Sequence, residues 1–358
     1  MNVLGIISGS SLDGLDMSLC SFDGLTPGQI EWDMKIGVTI PFDESLSDRL
    51  GKATSLSAKE LLKLEVDFSK FCAGAINDLI KRKKLQVDYI CSHGHTVFHF
   101  PEDGYTLQIG KGSIIAESTG VPCIVDIRAN DIAQGGQGAP VAPIVEQYLY
   151  PGYDYYFNLG GIANVSYHKD QIISSIDSCP CNQVLNHVMA ELGKAYDDKG
   201  KLARSGVVSM TLLEEWKRLD YFAQPFPKSM DNSWVQEIFI PIMVHHGLSH
   251  ADRLATMVEF AALQLASDCE ALSGSTEDPC KGLITGGGGF NDYLVERMQA
   301  HVSAYGLELD LPDDKTINFK EAILMALMGH LRINEQASTI PTVTGAQKET
   351  IGGAIYLA

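Results

Sequence analysis

Two stretches of this chain repeat one local plan, and that repeat narrows the folds open to it more than any bulk property. The first, Gly5-Ile6-Ile7-Ser8-Gly9-Ser10-Ser11-Leu12-Asp13-Gly14-Leu15-Asp16, runs from an apolar strand through a turn of small residues into a second alternating strand. The second, Tyr155-Tyr156-Phe157-Asn158-Leu159-Gly160-Gly161-Ile162-Ala163-Asn164-Val165-Ser166, does the same with glycines at its turn. Glycine and serine let backbone N–H groups approach an anion closely, and Ser10, Ser11 and Asp13 add oxygens for phosphate or a hydrated metal ion. One such turn is equally an ordinary hairpin at a domain edge. Two copies point to two related lobes, with glycine turns that face each other across a cleft and clamp a polyphosphate. The G-x-x-x-x-G-K-[ST] phosphate loop is absent, and no G-x-G-x-x-G opens a helix after a strand, which argues against those two nucleotide folds.

The chain's 358 residues favour two domains, each large enough for its own core. A formal net charge of -18 argues against broad binding to nucleic acid or an anionic membrane. Such a chain can still hold an anion locally, with backbone amides, helix N-termini and a metal ion. Met1-Asn2 leads straight into a strand without a basic leader, and no apolar run reaches the roughly eighteen residues of a membrane span, so a cytoplasmic protein is expected. The eight cysteines are scattered through apparent strands and helices, where they read as small buried hydrophobes rather than disulfide partners.

Strands are expected at 2–8, 14–22 and from Ile30 to Thr39, then a helix that Ser57 and Glu60 open as a capping box and Lys81-Arg82-Lys83-Lys84 closes. The strand Val87 to Cys91 delivers Ser92-His93-Gly94-His95-Thr96 to its end, where residues face crevices. Pro151-Gly152 is the boundary candidate, giving a first lobe of 1–150 plus 340–358 and a second of 151–339. In the second lobe the strand Gln171 to Ile176 turns at Asp177 into a helix, Gly282 to Thr285 is a buried strand ending in glycines, and an apolar helix runs from Phe319 to Arg332.

Asp177, at a strand end before a helix, can serve as a base that takes a proton from a hydroxyl or water during phosphoryl transfer; its alternative role is the N-cap of that helix. His93, His95 and His99 with Cys179 and Cys181 raise a zinc site, but the C-x-C lacks a second matching pair, and no metal site is assigned to them. Arg128, Asn130 and Asp131 with Gly135-Gly136-Gln137-Gly138 read either as a polar wall for sugar hydroxyls or as a solvated loop. The bare run Gly286-Gly287-Gly288-Gly289 offers a backbone surface against which adenine or ribose can lie.

Taken with Ser92 to Val97, Leu107-Gln108-Ile109-Gly110, Asp131 to Pro140, Asn158 to Asn164, Gly286-Gly287-Gly288 and Val343-Thr344-Gly345-Ala346, the first turn resembles, almost end to end, the anhydro-N-acetylmuramic acid kinase family. The resemblance implies an α/β, two-lobe actin-like (ribonuclease H-like) ATPase fold with a duplicated strand, glycine turn and strand. It also implies a homodimer that uses ATP and Mg²⁺ to open the 1,6-anhydro ring of its sugar and phosphorylate O6 in cell-wall recycling. By resemblance Gly9 to Asp16, Gly160, Gly161 and Gly286 to Gly288 bind ATP, Asp177 is the catalytic base and Glu321 an active-site glutamate. His93, His95, Arg128 and Asp131 face the sugar on the same ground. The rival readings are a kinase for another anhydrosugar or hexose, and a silent nucleotide or sugar sensor of the same fold. The chain departs from the family pattern with Ser10 for threonine and His95 for glutamine. Ser178-Cys179-Pro180-Cys181-Asn182 stands in place of Thr-Gly-Pro-Gly-Asn, and Pro227-Lys228-Ser229-Met230-Asp231-Asn232-Ser233 in place of Pro-Lys-Ser-Thr-Gly-Arg-Glu.

Overall fold

Small residues on one helix decide how the first unit is built. In the computed structural model, which describes residues 1–9, 12–169, 172–226, 228–273 and 279–358, the chain divides into two units, Met1–Pro151 with Phe319–Ala358, and Gly152–Asn318. The expected phosphate ligands Ser10 and Ser11 lie outside the described residues.

The first unit holds a six-stranded sheet formed from β1 (Asn2–Ser8), β2 (Gly14–Asp23), β3 (Glu31–Pro41), β4 (Tyr89–Ser92), β7 (Cys123–Val125) and β13 (Ala354–Tyr356). Its order is β13-β7-β4-β1-β2-β3, while β5 (His95–Phe100) and β6 (Tyr105–Ile109) form a separate hairpin. β1 runs antiparallel to β2 and parallel to β4, which makes it an interior strand, and with a helix on each face of the sheet Val3, Leu4, Ile6 and Ile7 are all buried. The helix Ala58–Lys83 covers one face with Leu64, Phe68, Cys72 and Ile76. It opens on the expected capping box, with Ser57 and Glu60 each bonding the other's backbone amide.

The other face belongs to the helix Asp314–Ile333, which is interrupted at Phe319 (φ -116, ψ 15). Ala322, Ala326 and Gly329 bring it so close that a Cβ at Gly5 would stand 2.0 Å from the Ala322 carbonyl oxygen and 2.4 Å from the Ala326 nitrogen. This contact corrects the expected boundary. Residues 319–339, expected in the second lobe, belong to the first unit because their apolar side chains fill its core with Val3, Cys20, Cys91 and Ile124.

The second unit repeats the plan with β8 (Tyr155–Leu159), β9 (Ile162–Lys169), β10 (Ile172–Pro180), β11 (Cys280–Thr285) and β12 (Leu307–Asp310), in the order β10-β9-β8-β11-β12. β8 is antiparallel to β9 and parallel to β11, as β1 is to β2 and β4. Each unit therefore carries an antiparallel meander joined to a parallel strand, the duplicated core that the sequence implied. Its core includes Trp216 stacked on Phe239 at 4.3 Å, with Phe260 and Leu265 from the helix His250–Ser273. No helix among the described residues is long and apolar enough to cross a membrane.

Gly5→Ala should destabilise the protein by about 3 kcal/mol, because the added methyl meets helix backbone that no side-chain rotation can clear. Urea unfolding of the variant measures this, and an unchanged midpoint would show that the helix seats less closely than described.

Candidate active site

In the second unit, the turn between β8 and β9 is tied to the helix Asn182–Ala190. The Gly160 carbonyl accepts from the Asn182 amide at 3.1 Å, the Gly161 carbonyl accepts from the Cys181 amide at 2.8 Å, and Asn182 Nδ2 donates to the Leu159 carbonyl at 2.8 Å. The glycines after β11 reach the same turn. Gly286 has φ +83, and a Cβ there would lie 2.5 Å from Asn158 Oδ1; one on Gly288 would lie 2.6 Å from Leu159 Cβ. Those two glycines are required by packing. Gly161 and Gly287 differ, since a Cβ would find nothing nearer than Gln183 Cβ at 3.8 Å and Asn182 Nδ2 at 3.6 Å respectively. They leave bare backbone open to a ligand.

Asp177 lies inside β10, not after a strand ending at Ile176, and it caps no helix. The N-cap position belongs to Cys181, without a side-chain bond. The register shifts between Asp177 and Cys179, and this irregularity turns the Asp177 side chain toward residues 228–230. Its Oδ2 accepts from Ser229 Oγ at 2.9 Å and from the Met230 amide at 3.0 Å. Its amide donates to the Lys228 carbonyl at 3.2 Å, and its carbonyl accepts from Tyr221 Oη at 2.6 Å. Oδ1 makes no hydrogen bond among the described residues. One oxygen thus fixes the carboxylate while the other remains open.

Of the residues that set this chain apart from the family pattern, Cys179, Cys181 and Met230 are buried, whereas Asp231, Asn232 and Ser233 are exposed. Cys179 and Cys181 are fully buried in the core with Val184, Trp216 and Val258, and burial pushes the Cys181 thiol up to about 12. All eight cysteines are buried free thiols.

In the first unit, the turn after β1 carries Leu12 in the left-handed region (φ 56), its carbonyl accepting from Ser47 Oγ at 2.9 Å. Of the stretch read as an ATP site, Leu15 has its side chain in the core, and a Cβ on Gly14 would stand 2.6 Å from the Ile40 carbonyl of β3. Asp13 is exposed; Asp16 is half-buried, accepts from Thr39 Oγ1 at 2.5 Å and is pushed up by burial and by the nearby Asp13.

His93 ends the run after β4 with only 5% of its surface exposed. Its Nδ1 lies 3.2 Å from the Gly94 carbonyl, and its Nε2 is buried without a partner among the described residues. Burial, and next the Arg128 guanidinium, hold it down to about 3. His95 begins β5 with Nδ1 at 3.1 Å from Ser8 Oγ, and His99 Nδ1 lies 3.0 Å from Thr106 Oγ1. Arg128 also keeps a buried, unpartnered Nε, and Glu321 offsets part of the loss of hydration at this guanidinium. Glu321 is itself solvent-accessible yet ringed by protein, and desolvation with the Asp16 carboxylate raises it above the ordinary range.

Asp131 is 1% exposed, and its two oxygens accept from the Gly138 amide at 2.7 Å and from Thr344 Oγ1 at 2.8 Å. A buried carboxylate with both oxygens engaged ties loop 135–138 to the segment Pro341–Thr344. Asn130, likewise, donates to the Ile351 carbonyl at 2.7 Å. The sequence reading missed Ser229 and Tyr221 around Asp177 and the buried Lys228 and Asp268 behind it. The signal available was a lysine set among Tyr221, Phe222 and Phe226 just before Ser229.

The His93 shift fixes a sign. Below pH 6.5 an unfolded imidazole takes up a proton that the folded one refuses until about 3, so the unfolded state binds more protons and stability is lost as the pH drops through that window. His95 and His99 are lowered in the same direction, also by burial. His93→Gln should therefore show a shallower loss of urea midpoint between pH 7 and 4 than the parent protein; equal slopes would mean that His93 is hydrated when folded.

The model of the family described as anhydro-N-acetylmuramic acid kinase matches residues 1–358. An anhydro-N-acetylmuramic acid kinase of Synechocystis sp. is 31% identical, covering 100% of this chain and 99% of the relative. One of Microcystis aeruginosa is 32% identical over 99% and 100%, and one of Hahella chejuensis 33% over 99% and 98%. Among solved structures, the activator of the 2-hydroxyisocaproyl-CoA dehydratase from Clostridium difficile, with bound ADPNP, aligns over 94% of this chain and 96% of its own at 12% identity and a TM-score of 0.47.

Proposed function

The chain belongs to the anhydro-N-acetylmuramic acid kinase family, and on that premise we propose that it opens the 1,6-anhydro ring of 1,6-anhydro-N-acetylmuramic acid with water while phosphorylating O6 from ATP. The products are N-acetylmuramic acid 6-phosphate and ADP, a step of cell-wall recycling. The observation that carries the reading is Asp177, whose carboxylate is held through Oδ2 alone.

An anhydrosugar has no free 6-hydroxyl, so O6 becomes a nucleophile only as its bond to C1 breaks. Water must enter at C1. Asp177 takes a proton from that water through Oδ1, the water oxygen bonds C1, and the C1–O6 electron pair passes to O6. O6 then bonds the γ-phosphorus as the bond from that phosphorus to the bridging oxygen of ADP breaks. Asp177 returns its proton to solvent, and atoms and charge balance.

The open backbone at Gly161 and Gly287 suits contact with nucleotide, and amides at such turns would meet the charge that develops on the phosphates. Arg128, with its buried unpaired N–H, suits the carboxylate of the muramic acid side chain, and His93 Nε2 a sugar hydroxyl. Glu321, raised above the ordinary carboxyl range, can donate as well as accept a hydrogen bond nearer neutral pH than an ordinary carboxyl can. Asp13 and Asp16 beside the first turn have the hard oxygen donors that Mg²⁺ prefers, and the ion when bound neutralises charge on the triphosphate.

With the anhydrosugar and ATP in heavy-oxygen water, label should appear on C1 of the sugar 6-phosphate and not in phosphate. Label in inorganic phosphate alone would mean simple ATP hydrolysis and would sink the proposal. Asp177→Asn should lower kcat by about 10³-fold while the protein still binds ATP, because an amide cannot take the proton. Turnover within a few fold of the parent would remove Asp177 from the role of base.

A further inference from the structure

Behind Asp177 lies a buried pair of opposite charges that the reaction does not touch. Asp268, on the helix His250–Ser273, and Lys228 have side chains only 4% and 2% exposed, with Lys228 Nζ 3.6 Å from Asp268 Oδ1. The same carboxylate accepts from Ser178 Oγ at 2.5 Å and from Gln264 Nε2 at 3.0 Å. The ammonium lies over the rings of Tyr221, Phe226 and Phe222 at 5.2, 5.3 and 5.9 Å.

Stability alone is a poor reason for such a pair. Two charges removed from water lose hydration that their attraction repays only in part, and apolar residues of similar size often serve a core as well or better. Burial raises the Asp268 carboxyl, with Ser178 and then Lys228 opposing the rise, so the cluster carries that desolvation cost. What distinguishes the pair is which pieces of chain it grips. Ser178 is the residue after Asp177, at the point where the β9–β10 register shifts. Lys228 supplies the carbonyl that takes the Asp177 amide, and the next two residues supply both donors to Asp177 Oδ2. Tyr221, whose ring lies under the Lys228 ammonium, holds the Asp177 carbonyl. Both donors to Asp177 Oδ2 and the carbonyl that takes its amide thus lie at Lys228 or within two residues of it, and Tyr221 meets Lys228 through its ring.

We propose that Asp268 and Lys228 are positioning residues for the kinase reaction: Asp268 clamps Ser178 on one side and Lys228 on the other, and so aims the Asp177 carboxylate at the attacking water. The inference rests on Asp177 being the base. Misplacement of a catalytic group by about an ångström can cost some hundredfold in rate without touching substrate binding. Removing the clamp should therefore appear in kcat and not in KM.

Asp268→Asn keeps the shape and loses the charge. Its kcat should fall about 10- to 100-fold, with KM for ATP and for the anhydrosugar within about twofold of the parent. Because the lone Lys228 charge left behind can unfold the protein, Lys228→Met/Asp268→Leu serves as the second variant. It should recover the thermal stability that Asp268→Asn loses yet remain 10-fold or more below the parent in kcat, a separation that a purely structural pair would not give. Parent-like kcat in either folded variant, or a loss seen in KM alone, overturns the positioning role. Asp177→Asn measured alongside separates the two claims. If it is inactive while Asp268→Asn turns over at the parent rate, only the clamp fails; if it turns over normally, the base reading fails and the clamp loses its purpose with it.

Discussion

The close approach of backbone to backbone at Gly5 underlies the first unit. β1 is the central strand, and the helix that begins its regular run after Phe319 can seat on it only because Gly5 lacks a side chain and Ala322, Ala326 and Gly329 present little of their own. A Cβ at Gly37 would likewise stand 2.3 Å from the Phe319 ring, so the interruption of that helix is packed in place as well. Once the helix is seated, Lys320 and Glu321 have little choice of position. Lys320 is drawn into a buried pair with Glu146 at 3.2 Å, and Glu321, the next residue, is left accessible within the field of Asp16 and Arg128. A steric fact in the core thereby sets the electrostatics of the Glu321 carboxyl.

The second unit reaches a comparable result by polar means. Asp177 sits where two strands slip out of register, a place where the backbone ladder no longer dictates direction. Direction is restored by Ser229, Met230 and Tyr221, and these are anchored by a lysine and an aspartate that water does not reach. Hydrogen bonds to a charged acceptor are shorter and stronger than neutral ones, so two of them suffice to hold Oδ2.

The two polar clusters divide along the same chemical line. Around His93, burial and the Arg128 guanidinium keep an imidazole neutral, so a donor and an acceptor are offered without a second positive charge. Around Glu321, burial and Asp16 favour the protonated acid. Both environments suit the hydroxyl-rich, singly charged sugar of the proposed reaction better than a polyanion.

The duplicated strand, glycine turn and strand is local in nature, because hydrophobic alternation and small turn residues act over a dozen positions; it was legible in the residues, as were the Ser57 and Glu60 capping box and the buried cysteines. The family, too, was legible, carried by motifs spread along the whole length. Periodicity could show that residues 319–332 form an apolar helix, but not that its small residues fit β1 of the first unit, since that depends on atoms more than three hundred positions away. For the same reason a one-dimensional reading could not show that both oxygens of Asp131 bond its own loops or that the Leu15 side chain turns into the core. Which side chains exist, and their chemistry, is fixed by sequence. Which of their atoms remain unpaired among the described residues, as Oδ1 of Asp177 and Nε of Arg128 do, is decided only when packing has consumed the rest.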